Sequence, residues 1–310
     1  QFGVQADHCP WFIPLALIFC TAVLLAEYAK NGEGAGPAPT ESCYYKFEVA
    51  DHVFCAASFS MNPLFGPSYE TLIEMGSVLG DKVIDEGEKY RLFTCMWLHG
   101  GAFHFLGNML VLLQAGLDLE RAHGALRVGT VYLLAGLVGA MASAAFSPHT
   151  SSVGASGAIF GLLGGCLGDL VQNWGLYTSP CGTMWKIVMN VAIQLVLGTM
   201  PNLDNFAHFF GFCMGFSTAM CVFIRDRMTS SGRLLSVKFH HRCIQFLAAV
   251  SSLALLVAGL AVIFGEKDAK ELCSWCDSIS CQPFPWGCSP AKGSCWWDCP
   301  PPQMLQRLDM

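Results

Sequence analysis

A serine flanked by glycines stands where an apolar segment begins, in the stretch Gly154-Ala155-Ser156-Gly157. Two explanations compete for this pattern. Small residues allow two helices to pack closely in a membrane, whereas glycines on both sides of a serine leave its hydroxyl open to attack a substrate. A nucleophilic serine needs a base within hydrogen-bond distance, so the choice depends on the other polar residues of the apolar segments.

The apolar segments hold few ionisable residues: His99, His104, Asp169 and His208. Such residues are costly inside a membrane, so each is a candidate functional residue, although a single histidine in a span is most often a packing residue. His104 lies four residues before Asn108, which puts both on one helix face. If the loops rich in Lys and Arg face the cytosol, the external or lumenal ends of the spans hold four polar residues: His104, Asn108, Ser156 and His208.

A serine and a histidine at one level could perform acyl transfer. The His208 imidazole would take the hydroxyl proton as Ser156 attacks a carbonyl, and water would then hydrolyse the acyl-enzyme. The oxyanion that forms needs donors already aimed at it, and the Ser156 N–H at a helix start, the Asn108 amide and the His104 imidazole are candidates. No acidic residue is placed to orient His208, so the sequence predicts a dyad.

Metal binding and helix packing are the alternatives to a catalytic role for these histidines and glycines. The histidines could bind a metal, but no HExxH motif or acidic partner at ligand spacing accompanies them, so we expect neither a metal nor a cofactor. The repeated GxxxG spacings are typical of helix-packing faces, and we accept that for all but the glycines beside Ser156. Gly161 and Gly215 could bring the Ser156 and His208 segments close enough for a hydrogen bond.

Membrane spans must carry these residues. Of the 310 residues, 53% are apolar and 13% are charged, about half the charged share of ordinary soluble domains. A span needs roughly 20 apolar residues. Three predicted spans are clear: Val128–Phe146, Phe206–Ile224 and Phe246–Gly265. Four are weaker: Trp11–Ala26, Thr94–Leu117, Ser156–Trp174 and Ile187–Met200. Trp11–Ala26 could be a signal-peptide core, but without preceding basic residues or a clean cleavage pattern we expect a retained helix.

The Lys and Arg content of the short loops predicts the orientation. Basic residues lie in loops 118–127, 175–186 and 225–243, whereas loops 147–155 and 201–205 have none. The basic loops are therefore expected in the cytosol. Ser156 then begins its helix at the external or lumenal face, with the tail after residue 265 on the same side.

The cysteine pattern agrees with an oxidising compartment. Of sixteen cysteines, two lie in the long loop 27–90 and six in the tail: Cys43 and Cys55, then Cys273, Cys276, Cys281, Cys288, Cys295 and Cys299. Even numbers in short non-cytosolic segments are typical of disulfide frameworks, although the tail's pairing stays open. The CxxC of Cys273 and Cys276 could bind zinc, but no second CxxC or nearby histidine completes a site.

These residues resemble the rhomboid family of intramembrane serine proteases. The similarity covers roughly residues 50–225, including NPLFGPSYETLIEMGS at 62–77 and LERAHG at 119–124. Three family motifs, GxSG, AHxxGxxxG and HxxxxHxxxN, occur on three separate spans. Their residues are Gly154, Ser156 and Gly157; Ala207, His208, Gly211 and Gly215; and His99, His104 and Asn108.

The resemblance implies an all-α polytopic membrane protein, with a six-helix core and a seventh C-terminal transmembrane helix as in the secretory-pathway type. It implies a site open to the lumen or exterior that cleaves single-pass membrane proteins near small residues. By the same resemblance Ser156 is the nucleophile, His208 the base, and Asn108 and His104 help the Ser156 N–H to form the oxyanion hole. Gly154, Gly157, Phe160 and His99 are supporting residues.

Two features depart from the family pattern. The family often has Tyr four residues after the serine, where this chain has Phe160, so the aromatic face is kept and the hydroxyl is lost. The cysteine-rich tail matches nothing in the family. We expect it to be either a disulfide-stapled unit without a specific role or a unit that binds a substrate or partner, and both alternatives stay open.

Two other functions compete with a protease for this pattern. Catalytically inactive rhomboid relatives act in trafficking or quality control, but they usually lose the serine or histidine that this chain keeps. A transporter or channel would need polar residues along a path through the membrane, whereas here they lie at one level. His123 and His149 are expected to be dispensable.

The sequence predicts four regions: a first helix and external loop (1–90), the catalytic core (91–225), a basic loop with the seventh helix (226–265), and the tail (266–310). The expected location is the secretory pathway or plasma membrane. The expected partners are the lipid bilayer and single-pass substrates, with no nucleic acid.

Overall fold

The computed structural model describes residues 8–33, 35–36, 38–49, 51–197, 204–225 and 239–265. The predicted disulfide framework of the tail lies outside these residues. Eleven α-helices are described: α1 Phe12–Gly32, α2 Tyr69–Glu74, α3 Gly80–Ile84, α4 Arg91–Thr94, α5 Ala102–Val111, α6 Leu117–His123, α7 Ala125–Phe146, α8 Ser156–Gln172, α9 Pro180–Leu197, α10 Asn205–Val222 and α11 Phe239–Phe264. A π-helical turn, Leu112–Gly116, joins α5 to α6, and a 3₁₀ turn, Trp174–Leu176, follows α8.

The prediction of an all-α polytopic membrane protein is confirmed. Five described helices are long and apolar enough to cross a bilayer: α1, the continuous Ala102–His123, α7, α10 and His241–Phe264 of α11. The apolar α8 is shorter, with 17 residues. The fifth predicted span, Ile187–Met200, corresponds to α9, whose 18 residues include Asn190 and Gln194.

The second predicted span, Thr94–Leu117, is placed too early. The helix starts at Ala102, because Gly101 has φ 152°, a conformation that L side chains rarely adopt and that a helix cannot continue through. The apolar residues before it form the short α4 and a turn. The helix then extends to His123, beyond the predicted end.

The centre of the bundle is a glycine-lined contact between α8 and α10. A Cβ atom on Gly215 would overlap the backbone of Gly161, and one on Gly211 would overlap Gly157. A Cβ on Gly164 would meet the backbone of Phe212 in the same way. The two helices therefore approach to backbone contact, as small-residue faces permit in membranes.

A buried glutamate fixes the start of α1. The Glu120 carboxylate accepts hydrogen bonds from the backbone N–H groups of Trp11, Phe12 and Ile13, at 2.8, 2.6 and 2.9 Å. A helix start presents unpaired N–H groups and the positive end of the helix dipole, so a carboxylate there stabilises it. This contact joins α1 to α6 although the residues are more than 100 positions apart.

Asp169 is the centre of a buried polar cluster at the far end of α8 from Ser156. Its carboxylate binds the His123 ring at 2.8 Å and the Arg225 guanidinium at 2.5 Å, and it accepts hydrogen bonds from Asn173 and Tyr177. His123 is 3% exposed and stacks on Phe223 with ring centroids 4.2 Å apart. This burial gives His123 a structural role, and the expectation that it is dispensable for cleavage stays a prediction.

The Ser156 end of the bundle is covered by the segment between α1 and α5. Strands β1 (Tyr45–Val49) and β2 (His52–Ala56) form an antiparallel hairpin that the sequence did not predict. A disulfide joins Cys43 to Cys55 beside it, as expected for this loop. Short helices α2 to α4 follow, and a bridge between Val78 and Ser152 is one of several contacts that connect this region to the segment before Ser156.

Candidate active site

Ser156 is the first residue of α8, at the end of a turn that only glycine fits. Gly154 has φ 129°, and its N–H donates to the Cys95 carbonyl at 2.9 Å. The Ser156 side chain is partly exposed and lines a small pocket with Gly157 and Ala207. The turn thus presents the serine at a helix N-terminus, where backbone N–H groups are unpaired.

His208 faces the same region from α10. Asp204 caps this helix, because its side chain accepts from the Ala207 N–H at 2.9 Å. A Cβ atom on Gly157, next to Ser156, would lie 3.3 Å from the carbonyl oxygen of Ala207, next to His208. The α8–α10 contact therefore brings the serine and histidine positions to one level.

The imidazole of His208 is held by stacking. Its ring is parallel to Phe160, with centroids 4.2 Å apart and an angle of 5°. Its Nδ1 atom is buried and has no partner among the described residues. In the part of the chain that the structure describes, no hydrogen bond joins the ring to the Ser156 hydroxyl. Such bonds are often long before substrate binds.

Two donors lie against the serine turn. A Cβ atom on Gly154 would lie 2.8 Å from Cε1 of His104 and 3.5 Å from Nδ2 of Asn108. The Asn108 Nδ2 is buried and has no partner among the described residues. His104 Nδ1 accepts from the Gly100 N–H at 3.3 Å, which makes Nε2 the protonated nitrogen and a donor. A side chain at position 154 would fill this space.

His99 lies behind these donors rather than beside Ser156. It is fully buried, contacts the Trp97 carbonyl through Nδ1 at 3.2 Å, and packs edge-on against Phe105. Its backbone N–H donates to Glu27 on α1 at 2.8 Å. Sequence reasoning missed Glu27, although a single carboxylate directly after the predicted span Trp11–Ala26 was a signal.

A second pocket lies beside the first and shares Val153 with it. Its lining includes Asn62, Tyr69, His104 and Ser151. The Ser151 N–H donates to the Tyr69 hydroxyl oxygen at 3.0 Å, and burial raises the pKa of Tyr69 to about 12. The phenol therefore stays neutral at ordinary pH. Within the residues that the structure describes, no group of three or more His, Cys, Asp or Glu side chains could hold a metal ion.

A helical membrane bundle with converging serine, histidine and amide groups defines the class of protein. Residues 86–225 match the family model of the rhomboid domain. The chain is 37% identical to RHOMBOID-like protein 4 of Arabidopsis thaliana over 295 residues, which cover 92% of this chain and 73% of that protein. It is also 37% identical to RHOMBOID-like protein 2 of the same plant over 287 residues, 90% of each chain. The chain belongs to the rhomboid family.

The family includes proteins named as inactive. The chain is 28% identical to Inactive RHOMBOID-like protein 8 of Arabidopsis thaliana over 258 residues, 78% of this chain and 74% of that protein. Membership therefore supports a function of the intramembrane-protease type, and the activity of this chain has to be argued from its own residues.

Proposed function

We propose that the chain is an intramembrane serine endopeptidase with Ser156 as nucleophile and His208 as general base. The observation that carries the proposal is the pairing of a partly exposed serine at a helix start with a stacked histidine whose Nδ1 is unpaired. Most buried polar side chains have a hydrogen-bond partner. Ser156 lines a pocket with Gly157 and Ala207, and His208 Nδ1 is one of the buried atoms without a partner among the described residues.

The proposed mechanism uses each of the four polar groups. His208 takes the Ser156 proton as the hydroxyl oxygen attacks a peptide carbonyl, and it later gives that proton to the leaving amine. The Ser156 N–H, the Asn108 amide and the His104 Nε2–H stabilise the oxyanion. A water molecule then attacks the acyl-enzyme, with His208 again as base. Phe160 keeps the ring orientation that an aspartate supplies in a triad.

The proposed substrates are single-pass membrane proteins cut near one end of their transmembrane segment. A helix hides its carbonyls in i→i−4 hydrogen bonds, so a segment that unwinds near the cut is favoured. Replacing Gly, Pro or β-branched residues below the cut by Leu in a reporter should slow cleavage. An unchanged rate would contradict this substrate requirement.

The proposed location is the secretory pathway or plasma membrane, with Ser156 facing the lumen or exterior. The Cys43–Cys55 disulfide supports this side, because disulfides persist in oxidising compartments. In sealed vesicles with the cytosolic face outward, a His52→Cys variant should react with a membrane-impermeant maleimide only after permeabilisation, although position 52 is exposed. Cys181, exposed near the Asp169 end, is the matched control and should react without permeabilisation. The reverse pattern would overturn the orientation.

The deciding experiment is cleavage of a transmembrane reporter by the purified full chain in liposomes. The parent should cleave, whereas Ser156→Ala and His208→Ala should fall to background at equal melting temperature, and the double variant should be no worse because the two act as one unit. Cleavage by Ser156→Ala at the parent rate would overturn the mechanism. No cleavage by the parent of any reporter would favour an inactive relative with a trafficking role.

A further inference from the structure

A carboxylate on α1 contacts the turn that carries His104. Glu27 is fully buried, and its Oε1 accepts from the His99 N–H at 2.8 Å. Its other oxygen, Oε2, has no partner among the described residues. A buried carboxyl group with one unpaired oxygen is costly, so this position is not explained by packing alone.

The next N–H along the chain determines the state of His104. The Gly100 N–H donates to His104 Nδ1 at 3.3 Å, and an Nδ1 that accepts requires the proton to be on Nε2. The Nε2 side of the ring is the side that lies against Gly154. The orientation of two consecutive peptide groups, at residues 99 and 100, therefore determines whether His104 can donate toward the oxyanion.

The same turn is fixed from its other side. The Tyr28 hydroxyl, adjacent to Glu27, donates to the Phe65 carbonyl, which also accepts from the Ala102 N–H at 2.9 Å. The Asn62 amide donates to the Gly100 carbonyl at 2.7 Å. Between these contacts lies Gly101 with its positive φ. Glu27 holds the first peptide of this turn, on the side opposite to these contacts.

We propose that Glu27 is a positioning residue for the oxyanion donor His104, acting through the His99 and Gly100 peptide groups. This rests on the proposed function, since it assigns a role in the same reaction. Glu27 touches neither the serine nor the histidine base. Its effect is to keep one tautomer and one orientation of the His104 ring.

The kinetic test compares two substitutions at position 27. Glu27→Gln keeps an oxygen acceptor for the His99 N–H, whereas Glu27→Leu removes it. We expect Glu27→Leu to lower kcat by about 10–100-fold, the scale of a small displacement of a catalytic group. KM should stay within about twofold, because the contact acts in the transition state. Glu27→Gln should restore kcat to within about threefold of the parent, because the hydrogen bond is kept.

Leu24→Ala is the matched control. Leu24 is buried on the same helix one turn earlier and makes no contact with the turn through a polar group. It should lower the melting temperature and leave kcat unchanged. In a His104→Ala background, Glu27→Leu should cost nothing further, because it acts through that ring. Losses that multiply, or a Gln variant as slow as Leu at equal melting temperature, would overturn the proposal.

A second readout does not depend on cleavage. The ¹⁵N shifts of the His104 ring, assigned by their loss in His104→Ala, should report a single Nε2-protonated tautomer in the parent and in Glu27→Gln. In Glu27→Leu they should report two tautomers in exchange. An unchanged spectrum in Glu27→Leu would overturn the positioning role, even if the chain cleaves no reporter. A changed spectrum without cleavage would refute only the proposed function.

Discussion

Two histidines of this protein lie parallel to a phenylalanine at the same distance. His208 stacks on Phe160 and His123 on Phe223, each with ring centroids 4.2 Å apart. The difference is in the ring nitrogens. His123 binds the carboxylate of Asp169, which is itself shared with Arg225, whereas His208 has no acidic partner among the described residues.

This difference separates a structural histidine from one available for chemistry. The ring at the Asp169 end has a structural role, because it is one of several groups that bind a buried carboxylate. The stacked but unpaired ring at the Ser156 end is oriented without being bound to an acid. Burial and an aromatic neighbour are therefore the same in both sites, and the partners of the ring distinguish them.

The largest expected effect comes from replacing each of the two histidines with alanine in separate variants. His208→Ala should remove cleavage and leave the melting temperature nearly unchanged. His123→Ala should destabilise the protein by about 1–3 kcal/mol, the cost of a buried hydrogen-bonding group that loses a partner, and the folded fraction should keep its specific activity. Thermal unfolding and cleavage of equal folded amounts measure both. A stable, inactive His123→Ala would contradict the comparison.

The next effect concerns the donor beside Ser156. Asn108→Ala should lower kcat by roughly 10²–10³-fold rather than abolish it, the cost of one oxyanion donor, because the Ser156 N–H and His104 remain. Asn173→Ala is the counterpart at the Asp169 end, since that amide donates to Asp169 at 2.6 Å. It should change stability and not kcat. Single-turnover kinetics of both variants separate the two outcomes.

A smaller effect is expected from the stacking partner. Phe160→Leu should lower kcat by about fivefold, because the ring loses the aromatic face that orients it, an interaction worth about 1 kcal/mol. Phe160→Tyr should be neutral or faster, since it restores the residue that the family usually has. Phe223→Leu, the equivalent change under His123, should affect only the melting temperature. A loss of kcat there would show that the His123 site affects catalysis and would contradict the separation of the two sites.

The smallest effect is expected at His149, whose ring binds Asp81 at 2.8 Å in a partly exposed pair. Such pairs contribute about 0–1 kcal/mol. His149→Ala should therefore leave cleavage and melting temperature close to those of the parent. A large loss of kcat would mean that the segment before Ser156 depends on this contact.

Some parts of the fold could be predicted from the sequence more fully than others. Hydropathy located every helix that carries a predicted site residue, because membrane spans need long apolar runs. It misplaced the start of the Ala102 helix, since apolar character does not report the backbone conformation of Gly101. The close approach of Gly161 to Gly215 could be predicted from the GxxxG spacings in their two segments.

Contacts between residues that are distant in the sequence could not be predicted from it. Glu27 stands alone after an apolar run and Glu120 stands between Asp118 and Arg121. Nothing local indicates that they bind the peptide groups of residue 99 or of residues 11–13. His123 was judged by its place after a helix, whereas its burial depends on Asp169 and Phe223. The chemical roles of Ser156, His208, His104 and Asn108 remain predictions until the variants above are assayed.

The backbone contact between α8 and α10 has a consequence for how this protein can vary. Gly161, Gly164, Gly211 and Gly215 leave no room for any side chain, so a randomised library at these positions should return glycine. Positions on α9 such as Trp185 and Val196, 65% and 69% exposed, should accept many apolar residues. Variants selected for a new substrate should therefore keep the α8–α10 contact unchanged. Their substitutions should lie in the outer helices and in the turns at the Ser156 end.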